Sequence, residues 1–142
     1  MSAQPTVEET VNQLAVEIRV LESTYNELTS RQGLLERALL ESHAALDSLR
    51  GLTGSPSEVL LQIGGGALLR SEPPSTDKVL VSVGANIIIE KSKEEAVAIL
   101  DERSREVEKT IVSIAGQRNE IAQRLNSDRE LLNNLVARAQ QE

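Results

Sequence analysis

The chain has 142 residues, room for one domain, and Tyr25 is its only aromatic residue. Hydrophobic residues make up 39%, but the absence of Phe, Trp and Cys disfavours a packed enzyme domain and excludes disulfides and cysteine-ligated zinc. The net charge of −7 argues against nucleic-acid binding, and the single histidine, His43, argues against a histidine metal site or a catalytic triad. We therefore expect no enzymatic activity, no cofactor and no metal.

Two further exclusions concern location. No apolar run approaches the roughly 18 residues that a membrane-spanning helix needs. The N-terminus lacks the basic segment followed by an apolar stretch that marks a secretory signal. The expected location is cytoplasmic.

The first predicted element is a long helix over residues 6–50. Thr6 and Glu9 have the spacing of a capping box at its start. Apolar residues then recur at alternating intervals of four and three, and eleven of the thirteen positions in this heptad seam are apolar. The seam consists of Val7, Val11, Leu14, Ile18, Leu21, Tyr25, Leu28, Gln32, Leu35, Leu39, Ser42, Leu46 and Leu49. The helix end is predicted from Gly51, Gly54 and Pro56.

Two β-hairpins are predicted over residues 58–91. Four short Leu-rich or β-branched runs are typical of strands, and they cover 58–63, 67–70, 78–83 and 86–91. Gly64–Gly66 reads as a hairpin turn, because no Gly-Lys-Ser/Thr and no helix start follow to make it a phosphate-binding loop. Consecutive isoleucines at 87–89 must point to both faces of the hairpin. We expect other subunits to complete the sheet.

The second helix is predicted over residues 92–140, with another capping box at Ser92 and Glu95. Ten of its thirteen seam positions are apolar. The seam consists of Val97, Leu100, Ser104, Val107, Ile111, Ile114, Arg118, Ile121, Leu125, Asp128, Leu132, Leu135 and Ala139. Each helix would be about 65 Å long, which is typical of coiled-coil partners rather than of core helices.

The two seams match each other as an antiparallel pair. In such a pair, the residue numbers of facing seam residues must add up to one constant value. The condition is met by Leu49 with Val97, Leu46 with Leu100, Leu39 with Val107, Leu21 with Leu125 and Val7 with Ala139. The same register places Ser42 opposite Ser104, Arg118 opposite Leu28 and Asp128 opposite Ile18. Polar seam residues can be functional, but more often they fix the register of a coiled coil. We therefore predict a mainly α protein, an antiparallel coiled-coil hairpin with a small β region and with both termini at its free end.

Four apolar residues lie off the seam near the termini: Val16, Val20, Leu131 and Val136. Single exposed apolar residues are common on protein surfaces and need no explanation. Their concentration at one end of the predicted coiled coil favours a binding surface instead.

The layout of helix, two hairpins and helix resembles the prefoldin family, and the presence of two hairpins resembles its archaeal-type alpha class. The local match is Glu58-Val59-Leu60-Leu61-Gln62-Ile63-Gly64-Gly65-Gly66, then Thr76-Asp77-Lys78-Val79-Leu80-Val81-Ser82-Val83-Gly84-Ala85-Asn86 and Ile89-Glu90-Lys91. Asn86 stands where the family more often has Gly, and Asn tolerates positive φ. The resemblance covers essentially the whole chain, residues 1–142, as a single domain.

The resemblance implies a hexamer of two alpha and four beta subunits, in which the hairpins form an intersubunit β-barrel. It also implies ATP-independent capture of unfolded proteins at the coiled-coil tips, followed by transfer to a group II chaperonin. The expected client-binding residues are Val7, Val11, Leu14, Val16, Val20, Leu131, Leu132, Leu135 and Val136. The expected oligomerisation residues are Val59, Leu61, Ile63, Leu68, Val79, Val81, Val83, Ile87, Ile88 and Ile89. The alternative is a structural coiled-coil adaptor with one dedicated protein partner.

Overall fold

The computed structural model describes residues 3–52 and 58–141, and it is mainly helical with two small antiparallel hairpins, as predicted. The elements in chain order are helix α1 (Val7–Gly51), strands β1 (Val59–Gly64), β2 (Ala67–Ser71), β3 (Val79–Ser82) and β4 (Ile88–Lys91), and helix α2 (Lys93–Gln141). Contacts divide these residues into a terminal unit (3–36 and 109–141) and a hairpin unit (37–52 and 58–108). Both helices contribute to both units.

Both helices begin at the predicted caps. The backbone N–H of Glu9 donates to Oγ1 of Thr6 at 3.1 Å, and the N–H of Thr6 donates to Oε2 of Glu9 at 2.9 Å, so the first box is complete. At α2 the N–H of Glu95 donates to Oγ of Ser92, while the Glu95 carboxylate lies 3.4 Å from Nζ of Lys91. Gly51 is the last residue of α1, and the predicted signals at Gly54 and Pro56 lie outside the described residues.

The terminal unit pairs the two helices in the predicted antiparallel register. Glu17 pairs with Arg124 and Glu22 pairs with Arg129, and the closest distance in each pair is 2.6 Å. The first pair joins residues that directly precede a seam residue in both helices, and the second joins residues that directly follow one. The two pairs therefore lie on opposite sides of the seam, and they are centred between the layer of Ile18 with Asp128 and the layer of Leu21 with Leu125. Leu14, Ile114 and Leu125 are buried along this seam.

Arg118 fits the same register, because it inserts between residues that surround its predicted partner Leu28. Its guanidinium donates to Oε1 of Gln32 at 3.0 Å and to the hydroxyl oxygen of Tyr25 at 3.1 Å. The charged carbon also lies 4.9 Å from the centre of the Tyr25 ring. Tyr25 and Gln32 are thus two corners of the hole that receives this side chain, the contact expected of a knob in a coiled coil.

The two helices are also paired within the hairpin unit. Nε2 of His43 lies 3.8 Å from Oε1 of Glu108, and Nη2 of Arg50 lies 3.7 Å from Oδ1 of Asp101. Each of these four residues directly follows a seam residue. Leu46 and Ser104 are buried between the helices. The Ser104 hydroxyl has no hydrogen-bond partner among the described residues, and neither Nε of Arg118 nor Oδ2 of Asp128 has one. These three atoms belong to the three polar residues of the α2 seam.

The first hairpin pairs β1 with β2 in a register that joins Leu61 to Leu69 and Gln62 to Leu68. Ile63 is a bulge before the turn, so it has no directly paired residue. Gly64, Gly65 and Gly66 have φ values of 107°, 59° and 78°, which confirms the predicted turn.

The second hairpin is shorter than predicted because its turn takes in more residues. Strand β3 ends at Ser82 and strand β4 begins at Ile88, and Val81 is paired with Ile89. Ala85 and Asn86, the central residues of the turn, have φ values of 51° and 61°. Asn86 adopts the positive φ that the sequence predicted for it, and Ala85 adopts one without a polar side chain to support it.

This second hairpin has one covered and one open face. Val81 is only 6% exposed, and with Val79 it lines a groove shared with Ala45, Leu49 and Leu100 of the two helices. The guanidinium of Arg103 donates to the carbonyl oxygen of Ser82. The opposite face presents Leu80 and Ile88, which are 70% and 63% exposed. The consecutive isoleucines therefore do point to both sides, and the helices cover part of the inner side.

Candidate functional site

The terminal unit exposes most of the residues predicted to bind clients. The exposed fractions are 56% for Val7, 57% for Val16, 59% for Val20, 47% for Leu131 and 39% for Val136. Val11, Leu132 and Leu135 are half-buried in the seam, and Leu14 is buried. The predicted set therefore consists of an outer group off the seam and a seam group that becomes accessible only if the helices separate, apart from the first seam residue, Val7, which is already exposed. The outer group is Val16, Val20, Leu131 and Val136.

The position of the outer group on the helices explains why it is accessible. Val16 and Val20 are four residues apart and share one face of α1 outside the seam. Leu131 directly precedes seam residue Leu132, and Val136 directly follows Leu135. Because none of these four side chains is needed to hold the helices together, their apolar area is available to another molecule.

The hairpin unit exposes a second apolar surface, formed by both hairpins. Eight predicted oligomerisation residues are exposed or half-buried on it: Val59, Leu61, Ile63, Leu68, Val83, Ile87, Ile88 and Ile89. Val79 is half-buried against the helices and Val81 is buried there. The side chain of Val81 is thus already covered by its own chain, and the open residues are the stronger candidates for contacts between subunits.

Three exposed leucines of this surface were not singled out from the sequence. Leu60 and Leu69 lie on the first hairpin, and Leu80 lies on the second. Leu60 and Leu69 are about as exposed as the predicted residues beside them, and Leu80 is far more exposed than its neighbours Val79 and Val81. The signal for them was the same run of apolar residues without alternation, which places apolar side chains on both faces of a strand.

The described residues offer little for chemistry. They contain no group of three or more His, Asp or Glu side chains placed to hold a metal ion. Neither helix, over its described length, is apolar enough to cross a membrane. What the arrangement provides is apolar surface at two places, and such surface serves binding.

Comparison with protein families decides what kind of binding protein this is. The family model described as "Prefoldin subunit" matches residues 7–138, which include both helices and both hairpins. The chain belongs to the prefoldin family. It is a prefoldin chaperone subunit, and the resemblance seen in the sequence is confirmed.

Similar relatives are archaeal prefoldin alpha subunits. The alpha subunit of Nitrosopumilus maritimus is 30% identical over 135 residues, which cover 94% of this chain and 93% of that protein. The alpha subunit of Methanoculleus marisnigri is 34% identical over 126 residues, covering 78% and 85% of the two chains. A solved structure of filamentous PFD from Methanocaldococcus jannaschii is 27% identical and covers 92% of this chain and 98% of that one, with a TM-score of 0.43. Prefoldin subunits form hetero-oligomeric complexes with other prefoldin subunits.

Proposed function

We propose that this prefoldin subunit is a holdase that captures unfolded proteins at the terminal parts of its helices. It acts in the cytoplasm as a single prefoldin domain, without catalysis and without ATP, and passes its clients to a group II chaperonin. Its hairpins contact beta subunits in an alpha2-beta4 hexamer. The observation that carries the proposal is the outer group of exposed apolar residues in the terminal unit, Val16, Val20, Leu131 and Val136.

The chemistry of this group suits clients without a defined structure. Aliphatic side chains make contacts that are not directional, so one surface can accept many apolar segments. Each contact is weak, because burying apolar surface yields about 25 cal/mol per Å². Several such surfaces on one oligomer raise the overall affinity through effective concentration.

The test is an aggregation assay with two unrelated denatured proteins. Removal of residues 1–14 and 132–142 should abolish protection, because it removes six of the nine predicted client-binding residues. Replacement of Val16, Val20, Leu131 and Val136 by Ser should weaken protection in proportion to the number of changes. The proposed contacts between subunits lie on the hairpins, so replacement of these four helix residues should leave assembly unchanged, as light scattering would show.

A matched control uses exposed apolar residues elsewhere on the helices. Leu34, Leu40 and Val112 are 66%, 69% and 72% exposed. Their replacement by Ser should leave protection intact. Equal losses in the two variants would show that general surface hydrophobicity, and not this group, captures clients. Protection of neither denatured protein by the unmodified complex would favour the adaptor with one dedicated partner.

A further inference from the structure

One layer of the terminal unit carries a carboxyl group with one buried oxygen atom. Asp128 occupies a seam position of α2 and faces Ile18 of α1 in the register described above. Its Oδ2 atom is buried and has no hydrogen-bond partner among the described residues. A buried carboxylate oxygen without a donor is costly, because it has lost water and gained no hydrogen bond in return. This layer is therefore a weak point of the seam.

The charged groups around Asp128 offset the cost of its buried oxygen only in part. Arg124, one turn earlier on α2, places Nε 2.7 Å and Nη2 2.6 Å from Oε1 of Glu17 on α1. On the other side of the seam, Arg129 is bound to Glu22 at 2.6 Å. Burial, followed by the negative charge of Glu17, raises the pKa of Asp128, and Arg124 offsets this only in part.

We propose that Asp128 and Glu17 form a pH-sensitive latch between the ends of the two helices. When both carboxyl groups are ionised, neither can donate a hydrogen bond, and their charges repel each other. When Asp128 takes up a proton, its hydroxyl can donate to the carboxylate of Glu17 and join α1 to α2. The helix ends therefore loosen at neutral pH and tighten in acid.

The direction of the effect follows from linkage. A carboxyl group whose pKa is higher in the paired state than in the separated state favours pairing more strongly as protons are added. The paired state thus gains stability as pH falls through the raised pKa of Asp128 towards its ordinary value of 3.8. Below that value both states are protonated and no further gain occurs.

The segments that the latch controls are the layers between Asp128 and the chain ends. They hold Val11, Leu14, Leu132 and Leu135, the seam group of predicted client residues. The role of the latch in client binding rests on the proposed function: loosening at neutral pH would add these side chains to the apolar surface already exposed. The latch itself is a property of the helix pair and can be tested without a client.

The test measures the separation of the helix ends in the full-length chain within its purified assembly. The natural sequence has no cysteine, so spin labels attach only at the introduced pair Asn12→Cys and Asn133→Cys, both at exposed positions. Labelled subunit is diluted with unlabelled subunit, so that distances within one chain dominate. The distance distribution should be broad at about pH 7.5 and narrow at about pH 4.

Substitution at Asp128 separates the latch from general effects of acid. Asp128→Asn has no charge at either pH, so its distribution should be narrow at both, with Tm at neutral pH raised by about 4 °C. Asp128→Leu should also give a narrow distribution, because it completes an apolar layer with Ile18. Asp47→Asn changes an exposed aspartate and should behave like the unmodified chain.

The latch proposal is wrong if the unmodified chain and the Asp128→Asn chain give equal spin-label distance distributions at neutral pH. It is equally wrong if the unmodified chain keeps one distribution at both pH values. These measurements decide the latch alone. A chain that passes them and yet fails the aggregation assay would overturn only the proposed client site.

Discussion

At the scale of single residues, the turn of the second hairpin contains one residue that is poorly suited to its conformation. Ala85 has a φ of 51°, a region that costs a residue with a Cβ atom roughly 1–2 kcal/mol. Ala85→Gly should therefore raise the free energy of unfolding by about 0.5–1 kcal/mol, because part of the relief is lost to the greater freedom of Gly in the unfolded chain. Thermal denaturation followed by circular dichroism measures this gain in the free energy of unfolding.

The neighbouring residue provides the control for this change. Asn86 has a similar φ of 61°, but Asn tolerates this region better than Ala does. Asn86→Gly should therefore stabilise the protein less than Ala85→Gly. A loss of stability in the Ala85→Gly protein would show that the turn carries no such strain.

The buried hydroxyl group of Ser104 also lowers the stability of the folded chain. Its hydroxyl is buried in the seam and has no partner among the described residues, which costs about 1–3 kcal/mol relative to a satisfied group. Ser104→Ala should raise the unfolding free energy by about 1 kcal/mol in a urea titration. The same change at Ser113, which is exposed on α2, should have little effect. Equal effects at the two positions would contradict this account of the buried hydroxyl.

At the scale of elements, the pairing of α1 with α2 makes a sharp prediction for crosslinking. Leu21→Cys with Leu125→Cys should form a disulfide within one chain on mild oxidation, because the two residues face each other in one layer. Leu21→Cys with Leu132→Cys should not, because Leu132 lies two seam positions away. Mobility on a non-reducing gel distinguishes the two. Crosslinking of the second pair alone would show that the helices pair in a different register.

The elements also show how far the sequence could predict the fold. The heptad spacing located both helices to within one residue, because period and caps are local properties. The strands of the second hairpin were predicted slightly too long, since apolar runs do not reveal where a chain turns to positive φ. The hydrogen bond between the Arg118 guanidinium and the Tyr25 hydroxyl was not predicted from the sequence. The register placed Arg118 opposite Leu28, but only the structure shows where its long side chain ends.

At the scale of the whole molecule, assembly should depend on the open face of the hairpins. Ile88 is 63% exposed on β4, opposite the face that covers Val81. Ile88→Lys should dissociate the oligomer, because a charge in an apolar contact between subunits has no partner there. Light scattering should report the loss of mass, while circular dichroism should report nearly unchanged helix content.

The matched control places the same charge on a helix. Val112 is 72% exposed on α2, and Val112→Lys should leave the oligomer intact. An Ile88→Lys protein that stays fully assembled would show that this face does not contact another subunit. The sequence could predict that the hairpins have more apolar surface than one chain can bury. It could not predict which face of the second hairpin the helices cover. That depends on the groove between Ala45, Leu49 and Leu100, which forms only after the helices have paired.

The contact between Arg118 and Tyr25 has a practical consequence for experiments in solution. Since the chain has no tryptophan and a single tyrosine, its near-ultraviolet absorbance and emission come from one ring in the terminal unit. The hydroxyl oxygen of Tyr25 accepts a hydrogen bond from a guanidinium on the other helix, and the central carbon of that guanidinium lies 4.9 Å from the centre of the ring. Separation of α1 from α2 near this layer must therefore change the tyrosine signal. The protein carries its own optical probe of helix pairing, which needs no dye and no substitution.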